Sequence, residues 1–298
     1  MRLISFIKNN GTVAVGILQG SGAATLALDL SHPAFASLLG NAGHSMLDFI
    51  ALHTPDLLQA IEAVTDKERA LIDLAHVQTI AALPNPRKIV GAAFNYKDAL
   101  DEKQQEYPSE PVIFIKSAST IIGDGEPIVL PDNATQTTYE AELAVIIGRQ
   151  ALNIAPAQVM DHVFGYAIFN DVSVSEFVRA DKNFVRGKNQ QTSGPLGSII
   201  VDRDGIADPH QLNISLALNG EVLQKSSTSK MLFKIPELIS YISSKMPLDV
   251  GDIVATGTPA GVAASYQPGK WLKDGDEVVI NIEHIGQLSN RVHKRSNT

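Results

Sequence analysis

Apolar residues alternate with polar or small ones from Arg2 to Lys8, from Thr12 to Leu18 and from Ala24 to Leu30. Turn-forming residues separate the runs at Asn9-Asn-Gly11 and Gly20-Ser-Gly22. A period of two puts successive side chains on opposite faces, so the pattern predicts a three-stranded β-meander. The period then lengthens, predicting helices at Phe35 to Leu39, Ser45 to Leu52 and Pro55 to Ala75, the last with Lys67, Glu68 and Arg69 on its exposed side. Pro84-Asn-Pro86 interrupts both periods. It marks the expected boundary between a smaller N-terminal α+β domain, residues 1–83, and a larger domain, residues 84–298.

Strand patterns dominate that larger part. They run from Lys88 to Ala93, Val112 to Lys116, Pro127 to Leu130, Glu140 to Ile147, Tyr166 to Phe169, Ser198 to Val201, Ile214 to Leu218, Glu221 to Ser226, Ile253 to Thr256 and Glu277 to Glu283. One helix is predicted from Pro236 to Ser244. Asn219-Gly220 predicts a tight hairpin. Asp249-Val-Gly-Asp252 and Lys273-Asp-Gly-Asp276 have the residues of turns that feed strands, so their aspartates are expected to shape turns and not to bind metal. The fold class that follows is α+β, mostly β.

Composition narrows the function classes. The 298 residues are 44% hydrophobic, enough for a large core, and the net charge of −8 argues against nucleic acid. There are no cysteines, so disulfides, thiolate metal sites and cysteine nucleophiles are excluded. The N-terminal apolar run is short for a signal peptide and no run reaches membrane-spanning length, so a cytoplasmic protein without membrane partners is expected.

The most informative chemistry lies in Thr137-Thr-Tyr-Glu-Ala-Glu-Leu143 and Asn170-Asp171. Glu140 and Glu142 are two apart on a predicted strand and share a face, while Asp171 ends a second apolar run. Adjacent carboxylates repel unless a cation or a proton lies between them, and an all-oxygen set suits a hard ion such as Mg²⁺ or Mn²⁺. The same pattern also fits the solvated edge of a half-exposed strand.

From about Pro84 onward the chain resembles the fumarylacetoacetate hydrolase family at a series of ordered points. These are Phe94-Asn-Tyr96 with Glu102, Pro111-Val-Ile-Phe-Ile-Lys116, Tyr139-Glu-Ala-Glu-Leu143, Gly165-Tyr166, Asn170-Asp-Val-Ser173, Gly187-Lys188, Gly194-Pro-Leu-Gly197, Asn219-Gly220, Gly251-Asp252 and Thr256-Gly-Thr-Pro-Ala-Gly-Val262. The resemblance implies a mixed β-roll, a homodimer, and Mg²⁺ or Mn²⁺ held by Glu140, Glu142 and Asp171. It also implies a small-molecule substrate of the 2-oxo or 2-hydroxy acid type. Glu102 and Lys188 are the expected catalytic residues, with Thr258, Tyr166 and Lys116 as substrate contacts.

Three departures qualify the resemblance. Hydrolytic members usually carry a histidine three positions before the glutamate at 102, and here that position is Ala99. Ser175 stands where an arginine usually grips a substrate carboxylate, and Gln191 where an aspartate is usual; Arg179 and Arg186 are the nearest replacements for the lost arginine. A glutamate without its histidine suits proton transfer better than activation of water for C–C cleavage. The expected activity is therefore keto–enol isomerisation or decarboxylation of a 2-oxo or 2-hydroxy-dienoate acid through a metal-bound enolate. C–C hydrolysis of an acylpyruvate and metabolite binding without catalysis are the alternatives.

Overall fold

The computed structural model describes residues 1–20 and 25–295. Its main element is a sheet of eleven strands among the described residues. The order along the sheet is Leu71–Asp73, Leu26–Asp29, Val13–Leu18, Arg2–Ile7, Ile199–Asp202, Val163–Asn170, Ala141–Ile147, Ile253–Ala255, Ile89–Ala93 and Val112–Lys116, with Gln78–Thr79 pairing Arg2–Ile7. The first strand pairs antiparallel with Ile199–Asp202, so the N-terminal meander continues the sheet built by residues beyond 84. A second sheet orders Glu221–Ser227, Asn213–Leu218, Glu277–Ile282, Gly286–Lys294 and Ile128–Leu130.

Two large apolar cores flank the central strands of the main sheet, and a smaller cluster around Ile4 and Phe6 packs against its N-terminal strands. Leu143, Val145 and Ile147 face the second sheet and the helix Ile235–Lys245, where Leu216, Ile239, Ile242 and Ile280 meet them. Ala144 and Ile146 face the other way, under Phe35, Phe49, Ile50 and Ile61 of the N-terminal segment. Ala141–Ile147 is thus buried on both faces, which excludes the half-exposed edge that the alternation allowed.

Most predicted elements form within a residue or two, and the differences have local causes. The helix expected from Pro55 to Ala75 starts as predicted, with Thr54 Oγ1 accepting from the Leu57 amide, but it stops at Glu62. Lys67 Nζ donates to the Glu62 carbonyl, Asp66 takes a left-handed backbone with φ 59°, and Leu71–Asp73 pairs with Leu26–Asp29 at the sheet edge. The unmet hydrogen bonds of an edge strand outweigh the helical stripe there. Gly286–Lys294 forms a strand outside the predicted set, in a segment whose only strongly apolar residues are Leu288 and Val292. Asn290 is nonetheless buried, donating to the carbonyls of Gly123 and Glu126.

The two aspartate pairs form turns as expected: the Asp249 amide donates to Asp252, and the Lys273 amide to Asp276. Of the expected Gly20-Ser-Gly22 turn, Ser21 and Gly22 lie outside the described residues, as does the predicted strand start at Ala24. Among the described residues, no helix is long and apolar enough to cross a membrane.

Candidate active site

The main sheet places the three acids. Ala141 lies opposite Asn170 and Thr138 opposite Ser173, and between these rungs the Asp171 amide donates to the Glu140 carbonyl at 3.0 Å. Asn170 Oδ1 accepts from the Glu140 amide at 3.0 Å, locking the same crossing from the other side. Glu140 and Glu142 leave one face of their strand, and one oxygen from each of Glu140, Glu142 and Asp171 lies within 4.8 Å of the others.

Two lysines enter this cluster. Lys116 Nζ donates to Asp171 Oδ1 at 2.8 Å and to the Val172 carbonyl at 3.1 Å, and its side chain is fully buried. Lys188 Nζ donates to Asp171 Oδ2, to Glu140 Oε2 at 3.0 Å and to Ser173 Oγ at 2.9 Å. Lys188 Nζ also lies 4.7 Å from the centre of the Phe114 ring, within range of a cation–π contact.

Glu142 is the least compensated of the three. It is 1% exposed, and its Oε2 accepts from the Gly257 amide at 2.8 Å. Burial, followed by the charges of Asp171 and Glu140, holds its carboxyl well above the usual range. Burial also raises Glu140, with Lys188 opposing. Asp171 moves down: burial works against this, but Lys116 and Lys188 outweigh it. Burial lowers Lys116 more than Asp171 restores it, whereas for Lys188 the nearby carboxylates overcome burial and raise it. Three convergent hard oxygen donors, with no lysine bonded to Glu142 among the described residues, are the chemistry that a divalent cation satisfies, so these residues fit such an ion.

The acids open into a cavity of about 370 Å³ lined by Glu102, Glu140, Glu142, Lys188 and Thr258, with Ala99, Phe114 and Phe184 among its walls. Glu102 ends the helix Lys97–Glu102. Its Oε2 accepts from the Gly261 amide at 3.2 Å and from the Ser265 hydroxyl. One carboxylate oxygen is held, and the other accepts no hydrogen bond among the described residues. Thr258 Oγ1 donates to the Ala141 carbonyl and accepts from the buried Gln224 amide, both at 2.9 Å, so this hydroxyl braces the strand that carries the glutamates.

Two expected substrate contacts are placed elsewhere. Tyr166 is in the apolar core opposite Val145 and Val201, away from the cavity lining. Five residue steps along extended backbone separate it from Asp171, roughly 16 Å of travel. Lys116 lies beneath the acids and touches Asp171 instead of the cavity. His162 and His210 are structural: the first meets the Arg149 carbonyl, and the second accepts from the amide that opens helix Ile235–Lys245.

Sequence reasoning missed Phe94. It is 45% exposed, lines the cavity and has φ 59°, an uncommon backbone for a bulky residue. Asn95 enforces that turn by exchanging amide hydrogen bonds with the Phe233 backbone and donating to the Thr256 carbonyl. No alternation or spacing signals a single displayed aromatic.

Comparison with known proteins matches residues 88–293 to the model described as fumarylacetoacetate (FAA) hydrolase C-terminal. Oxaloacetate tautomerase YisK of Bacillus subtilis (strain 168) is 39% identical over 226 residues, covering 74% of this chain and 75% of that protein. The crystal structure of 2-hydroxyhepta-2,4-diene-1,7-dioate isomerase from Mycobacterium marinum superposes with a TM-score of 0.78 at 32% identity, covering 100% of each chain. Maleylpyruvate hydrolase from Sphingobium sp. SYK-6, in complex with manganese(II) ion and pyruvate, gives a TM-score of 0.80 at 29% identity, covering 99% of this chain and 100% of that one.

Proposed function

Because the chain belongs to the fumarylacetoacetate hydrolase family, we propose that it is a divalent-metal-dependent tautomerase of a short 2-oxo acid, with Glu102 as its acid–base group. Glu140, Glu142 and Asp171 are the residues that hold the ion, Mg²⁺ or Mn²⁺. When bound, the ion draws charge onto the 2-oxo oxygen and lowers the cost of enolisation by about several kcal/mol.

The observation that carries this reading is the state of Glu102. It lines the same cavity as the metal-binding acids but stands apart from their cluster, with one oxygen held by Gly261 and Ser265 and the other accepting no hydrogen bond among the described residues. Such a carboxylate can take the proton from the carbon next to the 2-oxo group and return it to either end of the enolate. Among the described residues, no histidine lines the cavity, so the partner that would help it activate water is absent.

Lys188 balances the acids and keeps Asp171 and Glu140 in place. Its contact with Glu140, whose side chain is 18% exposed, is the one an incoming carboxylate can reach. The relatives that tautomerise oxaloacetate or isomerise a dienoate support the same chemistry, and the manganese-bound neighbour supports a divalent ion. The test is product analysis on oxaloacetate and an acylpyruvate with Mg²⁺ or Mn²⁺, followed by NMR. Metal-dependent exchange of the C3 hydrogens with intact carbon skeleton is the expected result. Decarboxylated product would move the assignment to decarboxylase, two carboxylic fragments to hydrolase, and binding without change to a non-catalytic role.

The active form is a homodimer in this reading. Val112–Lys116 ends the main sheet, and Ile115 is 44% exposed near Val185, which is 68% exposed; Asn189 bridges their carbonyls. An unpaired edge beside exposed apolar side chains is a surface that pairing would cover. Light scattering at micromolar concentration should give twice the 31.9 kDa of one chain. A fully active monomer would overturn the assignment.

A further inference from the structure

The cavity mouth carries positive charge that the acid cluster does not use. Arg179 and Lys103 line it, with Glu102 the opposing acid there, and both cations are exposed at the rim. With Glu102 counted, the rim carries one net positive charge, which suits a ligand whose second anionic group reaches the mouth while its first lies at the acid cluster.

Arg179 is the rim cation built into place. It belongs to the helix Ser175–Asp181, one turn beyond Ser175, and both residues line the cavity. Gln136 holds this turn at two points: its carbonyl accepts from the Ser175 amide at 2.9 Å, and its side-chain oxygen accepts from the Arg179 guanidinium. Thr135 ties the same helix down again, its amide and hydroxyl donating to Glu176 at 2.7 and 2.8 Å. One guanidinium nitrogen, Nη2, therefore rests on Gln136, and the group's other N–H donors can serve a planar acceptor such as a carboxylate. Arg186 cannot serve. It makes a two-point contact with Asp181, stacks 4.2 Å over Phe177 and is absent from the cavity lining.

We infer that Arg179 reads the distal carboxylate of the substrate, taking over from the next helical turn the work that Ser175 cannot do, and so makes the enzyme selective for 2-oxo dicarboxylic acids over 2-oxo monocarboxylic acids. This deepens the proposed function and rests on it.

The test compares oxaloacetate with 2-oxobutanoate, which carries a methyl group in place of the distal carboxylate, on the Mn²⁺-loaded protein. Binding is measured by calorimetry, and KM and kcat by exchange at C3. Arg179→Gln should reduce the preference for oxaloacetate about ten- to a hundred-fold, mainly in Kd and KM, because one charge-assisted contact is lost. Arg179→Lys should restore part of it, and Arg186→Gln should leave it as it is. An unchanged preference in Arg179→Gln overturns the inference, as does an equal loss for both acids or a preference that disappears only in Lys103→Gln. A parent protein that neither binds nor exchanges either acid overturns the functional reading as well. A parent active on both, with an unselective response to Arg179→Gln, overturns this inference alone.

Discussion

Asp171→Asn should abolish metal binding and also cost the fold about 3–5 kcal/mol, the usual penalty for breaking a buried ion pair by removing one partner. Lys116 is the reason. Its side chain is 0% exposed, its ammonium donates to Asp171 and to the Val172 carbonyl, and burial already lowers its affinity for a proton. Without the Asp171 charge, the ammonium must stay buried with a neutral amide or lose its proton. Glu140→Gln removes a ligand from the same site at less cost, since Glu140 is partly exposed and Lys188 keeps Asp171 and Ser173. Urea unfolding together with Mn²⁺ titration separates the two variants. Both should lose metal affinity, and Asp171→Asn alone should lose most of the stability. Equal stability would mean that Lys116 is neutral in the parent protein, and unchanged affinity in both would end the metal assignment.

Glu102→Gln should reduce turnover about a hundred- to ten-thousand-fold, the usual contribution of a general acid–base group, while metal affinity is retained. The side chain shares the cavity but not the cluster, so the amide removes the proton acceptor without disturbing the carboxylates. Ala99→His supplies the complementary result. Ala99 and Glu102 lie three apart on one helix and both line the cavity, which places an introduced imidazole beside the glutamate. Ser265 and Gly261 hold Oε2, leaving Oε1 for the imidazole. The variant should gain measurable cleavage of a simple acylpyruvate, lost again in the Glu102→Gln, Ala99→His double variant. Efficient cleavage by the parent, unaffected by either change, would show that water is activated elsewhere and that the enzyme is a hydrolase.

The chain's own pattern was sufficient to identify most strands, the aspartate turns, the shared face of Glu140 and Glu142, and the family to which they belong. These depend on side-chain period and turn chemistry, which are local properties. Periodicity could not say whether the glutamates were solvated. That depends on what covers each face of Ala141–Ile147, and residues more than a hundred positions apart supply the cover. The same limit explains Tyr166, which lies in a matching motif yet is carried by the strand into the core, and the helix after Pro55, cut short by an edge pairing with Leu26–Asp29. Lys116 changed role because only the assembled sheet shows it beneath Asp171, and Arg179 separated from Arg186 only once the helix was set against Gln136. Sequence alone determined which chemical groups the site has and which strands carry them. Tertiary structure decided their burial, their partners and which of them face the cavity, because charge compensation and access depend on three-dimensional distance and on exclusion of water, and neither has a period along the chain.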